Sequence, residues 1–210
     1  MTKILVVDDH PLVRRGVVHV LLEAFPAGEV GEASSPAEAM EKVTAERWSL
    51  VVLDISLPGR NGIDLLKDIK AARPATPVLM LSGHSEAQFS TRSLRAGASG
   101  YLTKQSDPAL LVEAARQIIK GGKFITPATA EMLASELQFD ASKAPHERLS
   151  DREYDVMLKI ACGRSVGEIA EVMNLSAKTV STYRTRILTK FGLTNNAELT
   201  HYALRNNLIE

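Results

Sequence analysis

One cysteine, Cys162, leaves no partner for an internal disulfide, which suits a reducing cytosol. No apolar run approaches the roughly 20 residues of a membrane helix. Met1-Thr2-Lys3 leads straight into Ile4-Leu5-Val6-Val7, which is too short for the apolar region of a signal peptide. Net charge is also missing: 25 Lys and Arg balance 25 Asp and Glu, so any attraction to nucleic acid must be local. Neither a P-loop nor a GxGxxG fingerprint is present, which counts against nucleotide binding. The five histidines (His10, His19, His84, His146, His201) have no zinc spacing and no cysteine near them. A cytoplasmic protein with no membrane partner is expected. Its 210 residues, 45% hydrophobic, suffice for one good core or two modest ones.

What is present begins with Val51-Val52-Leu53-Asp54, a run apolar on both faces that ends in a lone carboxylate. Ile55-Ser56-Leu57-Pro58-Gly59-Arg60-Asn61-Gly62 follows it. Such a run, bounded by turn formers, predicts a central strand of a parallel sheet, with Asp54 at the carboxyl end where ligands sit. Similar units surround it. Ile4–Val7 predicts a strand ending in Asp8-Asp9-His10-Pro11, and Pro11 opens a helix with Val13, Val17, Val20, Leu21 and Ala24 at helical spacing. Glu29–Ala33 predicts a strand, and Ser35-Pro36-Ala37-Glu38 a capping box. Leu65, Leu66 and Ile69 mark a third helix, and Pro77–Leu81 a strand running into Ser82-Gly83-His84. After a weakly apolar helix around 86–96, Gly97–Leu102 leads into Thr103-Lys104. Asp107-Pro108 opens a last helix, stopped by Gly121-Gly122. Five βα units imply a right-handed, parallel, doubly wound sheet over 1–122.

In such a sheet Asp8, Asp9, Asp54, Ser82 and Lys104 all fall on one rim. Each has an ordinary explanation alone, as a cap, a turn hydroxyl or a solvated charge, but one rim accounts for all of them. Clustered carboxylates repel unless a cation sits among them, and oxygen donors suit Mg²⁺. A carboxylate beside Mg²⁺, a hydroxyl and an ammonium forms a phosphoryl-acceptor site, where metal and lysine neutralise developing charge. His10 follows the acid pair, and the sequence leaves its role open.

Through Asp8-Asp9, Asp54-x-x-Leu57-Pro58-Gly59-x-x-Gly62, Ser82 and Lys104, residues 1–122 resemble the flavodoxin-like receiver domain of two-component response regulators. The resemblance implies that Asp54 takes a phosphoryl group from a histidine kinase. It implies that Asp8, Asp9, Asp54 and the Ser56 carbonyl hold Mg²⁺. It also implies that Ser82 and Tyr101 are the switch pair, the hydroxyl moving to the acyl phosphate as the ring turns inward. An aspartate-nucleophile phosphatase would need a second acid two residues after Asp54, where this chain has Ser56.

Between 123 and 147 the periodicity weakens. Thr126-Pro127 starts a short helix through Met132, Leu133 and Leu137, and Gln138–His146 has the composition of a flexible tether. Whether that helix packs on the first domain stays open. Residues 148–210 differ in kind, predicting four short, strongly punctuated helices. Ser150 with Glu153 and Ser165 with Glu168 form capping boxes, and Leu149 with Tyr154 a hydrophobic staple. Asn174-Leu175-Ser176 is the tight turn of a helix-turn-helix. The next helix, Ser176–Lys190, contains no acid but carries Lys178, Arg184, Arg186 and Lys190, interleaved with Thr179, Ser181, Thr182, Tyr183 and Thr185. Lys178, Ser181, Thr182 and Thr185 share a face opposite Val180, Ile187 and Phe191, which suits a DNA major groove.

Leu149-Ser150-x-Arg152-Glu153, Gly163-x-Ser165-x-x-Glu168-Ile169-Ala170, Leu175-Ser176-x-x-Thr179-Val180 and Lys190-Phe191-Gly192 resemble the LuxR-type helix-turn-helix. Ser181, Tyr183 and Asn196 depart from that family's usual Lys, His and Arg, which bears on the DNA sequence read. Receiver plus LuxR-type domain implies the NarL/FixJ subclass: a transcription regulator rather than an enzyme, with at most Mg²⁺-dependent self-phosphorylation and self-dephosphorylation. Its expected partners are double-stranded DNA, a histidine kinase, a second copy on phosphorylation and the transcription machinery. The remaining alternative is a constitutive DNA-binding protein with a degenerate receiver.

Overall fold

The computed structural model describes residues 1–58, 60–83, 86–138 and 144–209, leaving aside the side chains of 86–88 and 135–138. Gly59 of the turn motif, His84, and 139–143 of the expected tether therefore lie outside the described residues. Two compact units divide at Met132–Leu133.

In the first unit, β1 (Lys3–Val7), β2 (Glu29–Ala33), β3 (Leu50–Asp54), β4 (Val78–Ser82) and β5 (Gly100–Thr103) form one parallel sheet in the order β2-β1-β3-β4-β5. This is the flavodoxin-like order. The intervening helices are α1 (Pro11–Ala24), α2 (Pro36–Ala45), α3 (Gly62–Ala72), α4 (Glu86–Arg95) and α5 (Pro108–Ile119). β3 and β4 are buried along their whole length, as strands covered on both faces must be. One core packs Ile4, Val6, Leu50, Val52 and Leu79 against Val17, Leu21, Leu111, Ala115 and Ile118 of α1 and α5.

The Ser35 box is half formed. Ser35 Oγ accepts the Glu38 amide at 3.3 Å, but the Glu38 carboxylate reaches past Ser35 to the Ser34 amide at 2.8 Å. The Ser34 amide and then Lys42 hold the Glu38 carboxyl down at about 2. A further helix, α6 (Pro127–Gln138), starts within this unit. Thr129 is buried, and the Ser90 hydroxyl of α4 lies 3.9 Å from Met132 Sδ. The beginning of the helix therefore packs on α4.

The second unit has a 3₁₀ turn (Pro145–Arg148) and α7 (Asp151–Ala161), α8 (Val166–Met173), α9 (Ala177–Phe191) and α10 (Asn196–Arg205). Both capping boxes are complete. Asn174, at φ 51°, closes α8 in the left-handed conformation, and Ser176 then caps α9. α7 packs on α9 and α10, and α8 on α9. Val180, Ile187 and Leu188 are buried, and Phe191 meets Tyr202 edge-on at 4.8 Å.

Candidate functional site

Strand register builds the rim. Val7 pairs with Leu53, Asp54 with Leu81, and Ser82 with Thr103. Asp8, the end of β3, the end of β4 and Lys104 are thereby set side by side at the carboxyl ends of adjacent strands. The turn after β3 is a two-residue antiparallel pairing, Ser56 with Asn61 and Leu57 with Arg60. It returns the chain so that the Gly62 amide donates to the Ile55 carbonyl at 2.7 Å. A Cβ on Gly62 would lie 2.1 Å from the Asp54 carbonyl oxygen, so no larger residue fits behind the acid. Asn61 then caps α3 by accepting the Ile63 amide at 2.8 Å.

Asp8 and Asp54 are both almost fully buried. Lys104 Nζ donates to Asp54 Oδ2 at 2.9 Å and sits 2.8 Å from Asp8 Oδ2. Burial pushes the Asp54 carboxyl above its ordinary value, against the pull of Lys104. Burial also opposes the Lys104 ammonium, but Asp54 and Asp8 outweigh it and its pKa ends raised. Asp54 Oδ1 is buried with no hydrogen-bond partner among the described residues. Donor atoms from Asp8, Asp9, His10 and Asp54 all lie within 4.8 Å of one another. A buried orphan oxygen amid hard carboxylate donors fits a small divalent cation such as Mg²⁺.

His10 is thus placed beside the acids, its Nδ1 3.0 Å from Asp9 Oδ1, with its ring largely in solvent. Ser82 is buried at the end of β4, and Tyr101 is buried near the start of β5 with its ring inward. Ser56 is exposed on the turn. Arg14 had no signal in the sequence. It donates from Nη1 to the Asp8 carbonyl at 2.6 Å and from Nε to Glu32 at 2.9 Å, bracing the acid pair from α1.

In the second unit, α9 presents Lys178, Ser181, Thr182, Thr185 and Arg186 to solvent, while Thr179, Tyr183 and Arg184 are half-buried. Thr179 is drawn into the cap, its hydroxyl 2.7 Å from Ser176 Oγ. Arg184 Nε donates to Asn196 Oδ1 at 2.6 Å, so the unusual Asn196 is the partner that holds this arginine. Lys190 Nζ is bound to the buried Glu153 carboxylate at 2.6 Å. That contact ties the end of α9 to α7, a packing role that helical spacing alone did not reveal. Among the described residues no helix is long and apolar enough to cross a membrane.

Residues 4–116 match the family model for the response regulator receiver domain, and 147–203 that for bacterial regulatory proteins of the luxR family. The response regulator UvrY of Escherichia coli O6:H1 is 36% identical over 209 residues, 99% of this chain and 96% of that protein. GacA of Pseudomonas syringae pv. syringae is 35% identical across all of this chain and 99% of its own. RcsB of Salmonella enterica serovar Typhimurium, solved bound to promoter P1flhDC in the presence of the phosphomimetic BeF3-, aligns over 96% of this chain and 97% of that one. Its TM-score is 0.65 at 26% identity.

Proposed function

The chain belongs to the NarL/FixJ-type two-component response regulators, DNA-binding proteins that join a receiver to a LuxR-family domain, and we propose that phosphorylation of Asp54 switches it. In this reading residues 1–122 are the receiver, 123–147 the linker and 148–210 the DNA-binding domain. A partner histidine kinase supplies the phosphoryl group. An Asp54 carboxylate oxygen bonds to phosphorus as the bond from phosphorus to the kinase imidazole breaks and the electron pair leaves with that nitrogen. Asp8, Asp9, Asp54 and the Ser56 carbonyl would hold Mg²⁺, which when bound neutralises charge on the phosphoryl oxygens.

Lys104 exchanges carboxylate contacts for a phosphoryl oxygen. Ser82 donates its hydroxyl to another, and Tyr101 keeps its ring in the space beside it. Self-phosphorylation from a small donor and slow self-hydrolysis are the only chemistry in this reading. The altered surface of the fourth and fifth βα units, or the first and last receiver helices α1 and α5, then brings two copies together. Their recognition helices, α9, enter the major groove at two-fold related half-sites, with the transcription machinery as the further partner. We place the protein in the cytoplasm.

The observation that carries this reading is the buried Asp54 carboxyl, its Oδ1 without a hydrogen-bond partner among the described residues, set within reach of two further acids and paired through Oδ2 to Lys104. The test is incubation with radiolabelled acetyl phosphate and Mg²⁺, followed by sedimentation and promoter-fragment binding. Wild type is expected to take up hydroxylamine-labile label, dimerise and bind DNA more tightly; Asp54→Asn is expected to do none of these. Label retained in Asp54→Asn, or DNA affinity indifferent to phosphorylation, would refute the switch.

A further inference from the structure

The exposed face of α9 is rich in threonine, and each threonine spends its hydroxyl on its own helix. Thr182 Oγ1 donates to the Lys178 carbonyl at 2.9 Å, Thr185 Oγ1 to the Ser181 carbonyl at 3.1 Å, and Thr189 Oγ1 to the Thr185 carbonyl at 3.0 Å. All three residues are exposed. A hydroxyl turned back to the i−4 carbonyl has no proton left for a base acceptor. The tetrahedral Cβ then leaves the γ-methyl as the group turned away from the helix backbone. Thr182 sits one turn and Thr185 two turns beyond Lys178, on the same face of a recognition helix that meets base edges. Of the groups that bases present in the major groove, only the 5-methyl of thymine is apolar. Arginine suits guanine, and the Nε of Arg184 is already committed to Asn196.

We infer that Thr182 and Thr185 read thymine through methyl–methyl contact, so that the preferred half-site carries thymines at the positions these residues face. The inference rests on α9 being the groove-reading helix and specifies what it reads. Ser181, with the same small hydroxyl but no methyl, marks the neighbouring position as one without this preference.

The full chain, treated with acetyl phosphate, is used to select duplexes from a random library, and the preferred duplex is then resynthesised with deoxyuracil in place of thymine. Removing one buried methyl is expected to weaken binding about four-fold for each thymine contacted. Thr182→Val and Thr185→Val keep the methyl and discard the hydroxyl, so they should still discriminate thymine from uracil. Thr182→Ser and Thr185→Ser, combined in one chain, do the reverse and should bind both duplexes alike. Equal binding of the two duplexes by wild type, or discrimination surviving in the double serine variant, overturns the inference and leaves DNA binding by α9 intact. Failure to select any duplex at low salt overturns this inference together with the reading on which it rests.

Discussion

Gly62 and Lys104 show how little freedom the acid rim allows. With the Asp54 carbonyl 2.1 Å from where a Cβ would stand, Gly62→Ala must push back the strand end that carries the acceptor. Overpacking of this kind costs about 1–3 kcal/mol. Gly62→Ala is therefore expected to lower the receiver's unfolding midpoint in urea and to slow labelling by acetyl phosphate, in contrast to a surface Gly16→Ala, whose Cβ meets nothing. Lys104→Met leaves Asp8 and Asp54 buried without their shared cation, a loss of about 3 kcal/mol. Added Mg²⁺ should restore more stability to this variant than to wild type, measured by thermal unfolding with and without the ion. An identical Mg²⁺ response in the two proteins would mean that the ion does not bind among these acids. The acids themselves were legible in the sequence because strand ends with polar residues are few and their order is specific. Arg14 was not, since its bond goes to a backbone carbonyl, and no side-chain pattern encodes a backbone partner.

Helices in the second unit are set by punctuation that can be read without coordinates. Ser150, Ser165, Ser176 and Asn195 each accept the amide three residues on, and the left-handed Asn174 and Gly192 close the helices between them. Side-chain ties between helices were not legible, because they join residues far apart in the chain. Glu153 is such a case: it completes the α7 cap through the Ser150 amide at 2.8 Å and holds Lys190 of α9 as well. Burial opposes its ionisation, but Lys190 and Ser150 prevail and its carboxyl titrates below the ordinary 4.5. A pKa lowered in the fold means that the stabilisation is full above 4.5 and is lost as pH falls through the lower folded value. Glu153→Gln keeps the cap and loses the ion pair, and should cost about 1 kcal/mol at pH 7; Glu153→Ala loses both, about 2 kcal/mol. Thermal unfolding against pH checks this, with the gap between wild type and Glu153→Gln closing on acidification below 4.5.

At the scale of the whole molecule, two units of different class share a chain of zero net charge. The class of each unit was legible because hydrophobic period and turn chemistry agree throughout it. The division inside α6 was not, because the first turns of that helix pack on α4 through buried hydroxyls and a methionine rather than an apolar stripe. Zero net charge also fixes how DNA can be bound. With no global attraction, the phosphates call for local cations, and the reading proposed above takes them from α9, which has no acid to offset them. Lys178 and Arg186 are exposed there, whereas Lys190 is held by Glu153. For a single half-site, Lys178→Gln and Arg186→Gln should each reduce the slope of log affinity against log salt by about one, as expected when one fewer phosphate is neutralised. Lys190→Gln should leave that slope unchanged while lowering the unfolding temperature. Fluorescence anisotropy on one duplex across a salt series separates the two effects. A slope reduced equally by all three substitutions would show that the Glu153 tie releases Lys190 when DNA binds.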